Sequence, residues 1–196
     1  MRHAEEGYTV TDLPDQGPDL LVLVDPAFEE SAEAPDPPPQ SVIGAWPVAP
    51  DGTTGRFRPN PVHVPSSPDV PSDPVDAVLR LLARDEGEVE DLLAVLGEVD
   101  LDVALDPDAV VLVVPAPDGQ LCVLATTAPR HRAAVLDAVG PPVASWRGVG
   151  LTEVAAALPE QGVDVLLNPY GPAPMRVAAA AVRDAADRRS ADGQWR

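Results

Sequence analysis

The chain has 196 residues with a formal charge of −19, which fits one domain of moderate size and disfavours a phosphate backbone or an anionic membrane as partner. Hydrophobic residues make up 45%, enough for a core, while 25 prolines far exceed the usual share of about 5%. Cys122 is the only cysteine, so neither an intrachain disulfide nor a thiolate zinc cluster can form.

The first residues, MRHAEEGYTVTDLPDQGPDLLVLVDP, carry carboxylates where a signal peptide needs positive charge. Their longest apolar run, Leu20 to Val24, is shorter than a signal-peptide hydrophobic region, and no stretch approaches the roughly 20 apolar residues of a membrane span. A cytoplasmic location without membrane insertion is expected. DLLVLVDP predicts one buried strand, ended by Asp25-Pro26 because proline cannot continue a ladder. AFEESAEAPDPPPQ is acidic, proline-rich and too poor in apolar mass to fold alone, hence an extended linker.

SVIGAWPVAPDGTTGRFRPNPVHV has an apolar island with Trp46, a turn at 50–52 and a second strand candidate around Phe57. PSSPDVPSDP is a further connector. Residues 1–72 are therefore expected to form an arm lying on a body at 73–190, with 191–196 as a tail. In that body Asp73 should cap a helix that has Pro74 at its first position and Val75, Val78, Leu79 and Leu82 on one face. EVEDLLAVLGE predicts a second helix with an acidic start and Gly97 near its end.

LDVALDPDAVVLVVPAPDGQLCVLATT contains three apolar runs joined by short turns, the pattern of an antiparallel meander. Thr127 should cap a helix over APRHRAAVLDAV, VASW is a brief strand, and Thr152 should cap EVAAALPEQG. VDVLLNP is the next strand and MRVAAAAVRDAADRR the last helix, with Arg183–Asp187 and Asp184–Arg188 as i,i+4 pairs. The expected fold is α+β: a mainly antiparallel sheet with packed helices, preceded by the proline-rich arm.

Several residue groups merit weighing as chemistry. Cys122 and His131 could form a thiol nucleophile and its base, yet Cys122 alternates with Leu121 and Val123 as a small core residue would. The carboxylates from Asp85 to Asp108 miss the calcium-loop register, since the fifth and sixth positions from Asp100 are Ala104 and Leu105. His3, His63 and His131 are not spaced as a metal pair, and no nucleotide or hydrolase motif is present. No catalytic residue, cofactor or metal is expected. Trp146 to Gly148 and Tyr8 to Asp12 imitate the marks of exported type VII substrates, but in the wrong order and setting, and read as chance.

Two surfaces are candidates for a protein partner. Arg56, Phe57 and Arg58 form a compact basic-aromatic cluster that either docks a partner or pins the arm to the body's own carboxylates, the latter favoured by effective concentration. In VDVLLNPYGPAPMRV, Pro169 should hold Asn168 extended, Asn168 should bond nearby amides, and Pro174 should open the last helix. This makes Asn168 to Pro174 first a turn; it could also present Tyr170 to a partner from a rigid loop.

PDGQLCVLATTAPRHRAAVLDA and GVGLTEVAAALPEQGVDVLLNPYGPAPMRVAAAAVRDA resemble the SseB-type domain, named for enhanced serine sensitivity. IGAWPVAPDGTTGRFRPNPVHVPSSPDVPSDPVDAVLRLL resembles a narrower actinobacterial group, the type VII secretion system-associated proteins. An arginine-only, isoleucine-poor composition agrees with a GC-rich genome of that kind. Together the likenesses cover residues 42–186 and imply a cytosolic accessory protein of the export machinery, with no catalytic residues to carry over. The expected function is protein–protein binding, with a secretion component or substrate as partner and the oligomeric state open. An acidic inhibitor or immunity-type protein that neutralises a basic partner is the alternative, and a small-molecule enzyme the third.

Overall fold

The computed structural model describes residues 19–32, 35–116 and 118–191. The Tyr8–Asp12 motif and residues 192–196 of the expected tail lie outside them. Among the described residues no helix is long and apolar enough to cross a membrane.

Three strands open the described chain: β1 (Asp19–Val24), β2 (Val42–Val48) and β3 (Arg58–Pro59), antiparallel in that order. β1 is not the buried strand expected. It lies at the sheet edge, and Leu20, Leu21 and Val22 are 57%, 55% and 41% exposed. The apolar run predicted burial, but among the described residues only β2 pairs with this strand, and of its side chains Leu23 packs on the core.

Phe57, just before β3, anchors this sheet. It is buried among the core residues, its N–H donates to the Glu98 carbonyl at 2.6 Å, and its ring meets Trp46 at 4.7 Å between centroids. Gly44 on β2 makes the approach possible. A Cβ there would run into the Phe57 ring and stand 2.5 Å from the Arg58 carbonyl oxygen.

Two helices follow, α1 (Pro74–Leu82) and α2 (Val89–Leu96). Asp73 caps α1 as expected, its side chain accepting from the Asp76 N–H. Val75 and Leu79 are fully buried and Val78 and Leu82 partly so, which is the predicted face. Leu92 and Leu96 bury the matching face of α2.

The remaining strands are β4 (Leu101–Leu105), β5 (Val113–Pro115), β6 (Leu121–Thr126), β7 (Ser145–Val149), β8 (Val163–Leu167) and β9 (Met175–Val177). They form one sheet in the order β7-β4-β6-β8-β9, with β5 also on β6. The fold is α+β, but the sheet is mixed. β6 and β8 run parallel, from Leu121 opposite Val163 to Ala125 opposite Leu167. Short links ruled out a parallel crossover only up to β6; residues 127–162 are ample for one. Nor do β4, β5 and β6 form a three-lane meander. Asp102 and Val103 pair with Thr126 and Ala125, while Val113 to Pro115 pair with Val123 to Leu121, so β4 and β5 share one side of β6.

Helices α3 (Pro129–Val139), α4 (Leu151–Ala157) and α5 (Ala179–Ala191) complete the body. One sheet face, with Val123, Ala125, Val165 and Leu167, joins the core of α1, α2, α4 and α5. The other, with Ala104, Leu124 and Leu166, packs on Val135 of α3. Arg132 of α3 forms an ion pair with Asp102 of β4 and lies 5.9 Å from the Trp146 ring centroid.

Three local expectations are corrected. Neither Thr127 nor Thr152 caps a helix; the N-caps are Ala128 and Gly150. Met175 to Val177 form β9, so Pro174 precedes a strand, since pairing with β8 outweighs the helical pattern. The pairs Arg183–Asp187 and Asp184–Arg188 do not form. Arg183 turns inward and donates to the carbonyls of Leu158 and Pro159, satisfying the end of α4 that proline leaves open.

Candidate functional site

Seven polar residues meet beneath the start of α1: Ser72, Asp73, Asp76, Arg80, Thr127, His131 and Asn168, each no more than 9% exposed. Three separate parts of the chain supply them. α1 and the two residues before it provide Ser72, Asp73, Asp76 and Arg80, the β6–α3 link and the first turn of α3 give Thr127 and His131, and the end of β8 gives Asn168. Burial of so many polar groups is tolerable only because they bond one another.

Asp73 is the hub. Its Oδ1 accepts from the Asp76 N–H at 2.9 Å, and its Oδ2 from the hydroxyls of Ser72 and Thr127, each at 2.7 Å. Burial pushes its carboxyl above the ordinary carboxylate range despite those bonds. Asp76 Oδ2 accepts from the Ser72 N–H at 2.9 Å and from Arg80 Nε at 3.1 Å, while Arg80 Nη1 donates to the Pro68 carbonyl at 2.9 Å. Thr127 and Asn168 are mutually bonded: Asn168 Oδ1 accepts the Thr127 N–H and its Nδ2 donates to Thr127 Oγ1, both at 2.9 Å.

Ser72 Oγ also lies 2.7 Å from His131 Nε2, the spacing of a hydroxyl nucleophile and its base. The proton count tells against that use. Ser72 has one hydroxyl proton, and while ionised Asp73 Oδ2 accepts it, Nε2 must carry hydrogen and donate to Ser72. The histidine then cannot take the serine proton. The acid is also misplaced, because Asp76 Oδ1 sits 3.9 Å from Nε2, the same nitrogen that faces Ser72. A hydrolytic triad puts the acid on the other ring nitrogen. Burial also holds the His131 pKa below its ordinary value, against the pull of Asp76 and Asp73.

Asn168 is not extended. It has φ +44°, and exposed Tyr170 has φ +63°, both left-handed; such a backbone costs of order 1–3 kcal/mol at a bulky residue and must be held from outside. Thr127 does the holding through the Asn168 side chain. Gly171 closes the loop: its N–H donates to the Asn168 carbonyl, and a Cβ there would stand 2.9 Å from that oxygen and 3.2 Å from His131 Nδ1.

The six tentative partner-binding residues thus have different fates. Phe57, Asn168 and Pro169 are buried and Arg56 pairs with Asp100 on the body, while Arg58 and Tyr170 stand exposed. Nor do Cys122 and His131 combine. Cys122 is fully buried in β6, with burial raising its thiol pKa, and His131 is committed to Ser72. The Ser72–His131 contact escaped the sequence reading, although Ser-Asp-Pro before an amphipathic helix marks the capping turn that places Ser72.

A second buried cluster fixes the end of β1. Asp25 accepts from the N–H groups of Ala27 and Ser66 at 2.9 Å each and from Ser66 Oγ at 2.6 Å, with His63 Nε2 at 3.5 Å. Although burial works in the opposite direction, the Ser66 bonds and those of Ala27 and His63 hold the Asp25 carboxyl down at about 2. Beyond this anchor, β1 has a backbone edge that no other described strand pairs, flanked by exposed Leu20, Leu21 and Val22.

Compared with known proteins, the chain matches no family model, no curated protein and no solved structure at a significant level.

Proposed function

We propose that this chain is a non-enzymatic accessory protein of type VII secretion that binds a protein partner through the free edge of β1. The edge carries the reading: a six-residue strand, paired on one side only among the described residues, with three consecutive exposed aliphatic residues. Natural edges are normally blunted by charge, proline or a cover, and an open one is a template for an extended segment of another chain. The secretion link rests on the sequence resemblance over residues 42–186. The non-enzymatic reading rests on the proton count at Ser72 and the carboxylate on the wrong side of His131.

The test is affinity capture from the native host with the wild-type chain and a Leu21→Lys, Val22→Lys double variant. Both positions are exposed, so the variant should fold, as circular dichroism will check. The wild type is expected to retain a secretion component or substrate and the variant to lose it. Recovery of neither, or equal recovery by both, rejects the assignment.

A further inference from the structure

Away from the β1 edge, the sheet and α4 enclose an apolar groove of about 250 Å³. Valines from different elements form it, among them Val113 of β5, Val123 of β6, Val163 of β8 and Val154 of α4. α4 is seven residues long, and Val113 in the groove remains 41% exposed. Among the described residues no hydroxyl, thiol or imidazole lines the groove, so its lining is suited to holding a molecule.

Its only charged lining residues are Arg147 and Glu153. Both are exposed, and neither side chain pairs with another described residue. Arg56, Arg80, Arg84, Arg132 and Arg176 each hold a carboxylate, whereas Arg147 does not. Among the described residues, one unpaired cation and one unpaired anion therefore border a single aliphatic slot. The volume falls below the roughly 300–1,000 Å³ of sites for drug-sized ligands, so the occupant is small.

We propose that this groove binds a free aliphatic α-amino acid, with a branched side chain such as that of leucine against the valines. Arg147 receives the carboxylate and Glu153 the ammonium. An aliphatic acid would leave Glu153 unmatched, and an aliphatic amine would leave Arg147 unmatched; the zwitterion answers both charges.

Methyl-resolved NMR titration of the full chain tests the proposal. L-Leucine at millimolar concentration is expected to shift the methyls of Val113, Val123 and Val154. Glycine, 4-methylpentanoate and isopentylamine, which lack the side chain, the ammonium and the carboxylate respectively, should each bind about tenfold more weakly, equivalent to about 1.4 kcal/mol. Arg147→Gln and Glu153→Gln, at exposed positions, should weaken leucine by a similar factor while leaving the unliganded spectrum otherwise unchanged. Absence of leucine shifts at those methyls overturns the proposal. So does 4-methylpentanoate binding as tightly as leucine with Glu153→Gln silent, which would make the groove a site for aliphatic acids. Neither result bears on the β1 edge.

Discussion

Asp73 holds three parts of the chain with one carboxylate: the first turn of α1, the Ser72 hydroxyl and, through Thr127, the start of the link to α3. Replacing it with alanine removes a helix cap, typically worth about 1 kcal/mol, and takes the nearest acceptor from two buried hydroxyls, leaving Ser72 with Asp76 Oδ2 at 3.3 Å and Thr127 with Asn168 Oδ1 at 3.2 Å, at about 1 kcal/mol or more each. Relief of the carboxylate's own desolvation offsets part of that, so Asp73→Ala is expected to cost about 2–4 kcal/mol by urea unfolding. Asp73→Asn keeps an acceptor for the Asp76 N–H and can donate to either hydroxyl, and should cost clearly less. Equal losses in the two variants would mean that charge, and not the bonding pattern, matters at this position. The cap itself was legible, because Asp-Pro before an amphipathic run has a local cause. Ser72 meeting His131 was not, since residues 59 apart in sequence are brought together only where the starts of α1 and α3 converge.

The same division between local and distant causes runs through the elements. Helices α1 and α2 were readable because their faces repeat at helical spacing, and each strand run of β4, β6 and β8 was readable from its apolar content. Lane order was not. Nothing within LCVLAT or VDVLL states that one will lie parallel beside the other, and MRV becomes β9 only because β8 offers it a partner. β1 differs in the reverse sense: an apolar run predicts burial, though edge or centre is a property of the sheet. Gly44 shows how closely the first sheet is fitted to the body, since its missing side chain admits the Phe57 ring. Gly44→Ala is expected to destabilise by about 1–3 kcal/mol through overpacking and to alter the near-ultraviolet circular dichroism of the Trp46–Phe57 pair. A neutral effect would show that β2 and β3 can part without disturbing the core.

Across the molecule, these buried groups set how stability responds to pH. His131 resists protonation in the folded chain because burial outweighs the attraction of Asp76 and Asp73, with Arg130 and Arg80 adding to the resistance. The unfolded chain takes that proton near pH 6.5, so this group's contribution falls as pH drops below about 6.5. Asp73 acts in the opposite sense. Its folded pKa is raised, so its buried charge costs stability where the unfolded carboxyl is ionised, and acidification towards the unfolded value near 3.8 restores that stability. Asp25, held at about 2, is favourable at neutral pH and loses its contribution as pH falls from about 3.8 towards 2. The histidine part can be isolated by comparing the wild type with His131→Gln in urea unfolding from pH 7.5 to 5, because groups common to both largely cancel in the difference. The wild type's stability relative to the variant should decline below about pH 6.5, by at most about 1.4 kcal/mol per pH unit. A difference that stays flat would mean that His131 titrates alike in the folded and unfolded chains. A difference that grows in the wild type's favour would mean that Asp73 and Asp76 charge the ring in the native state, reversing the balance assigned here between burial and attraction.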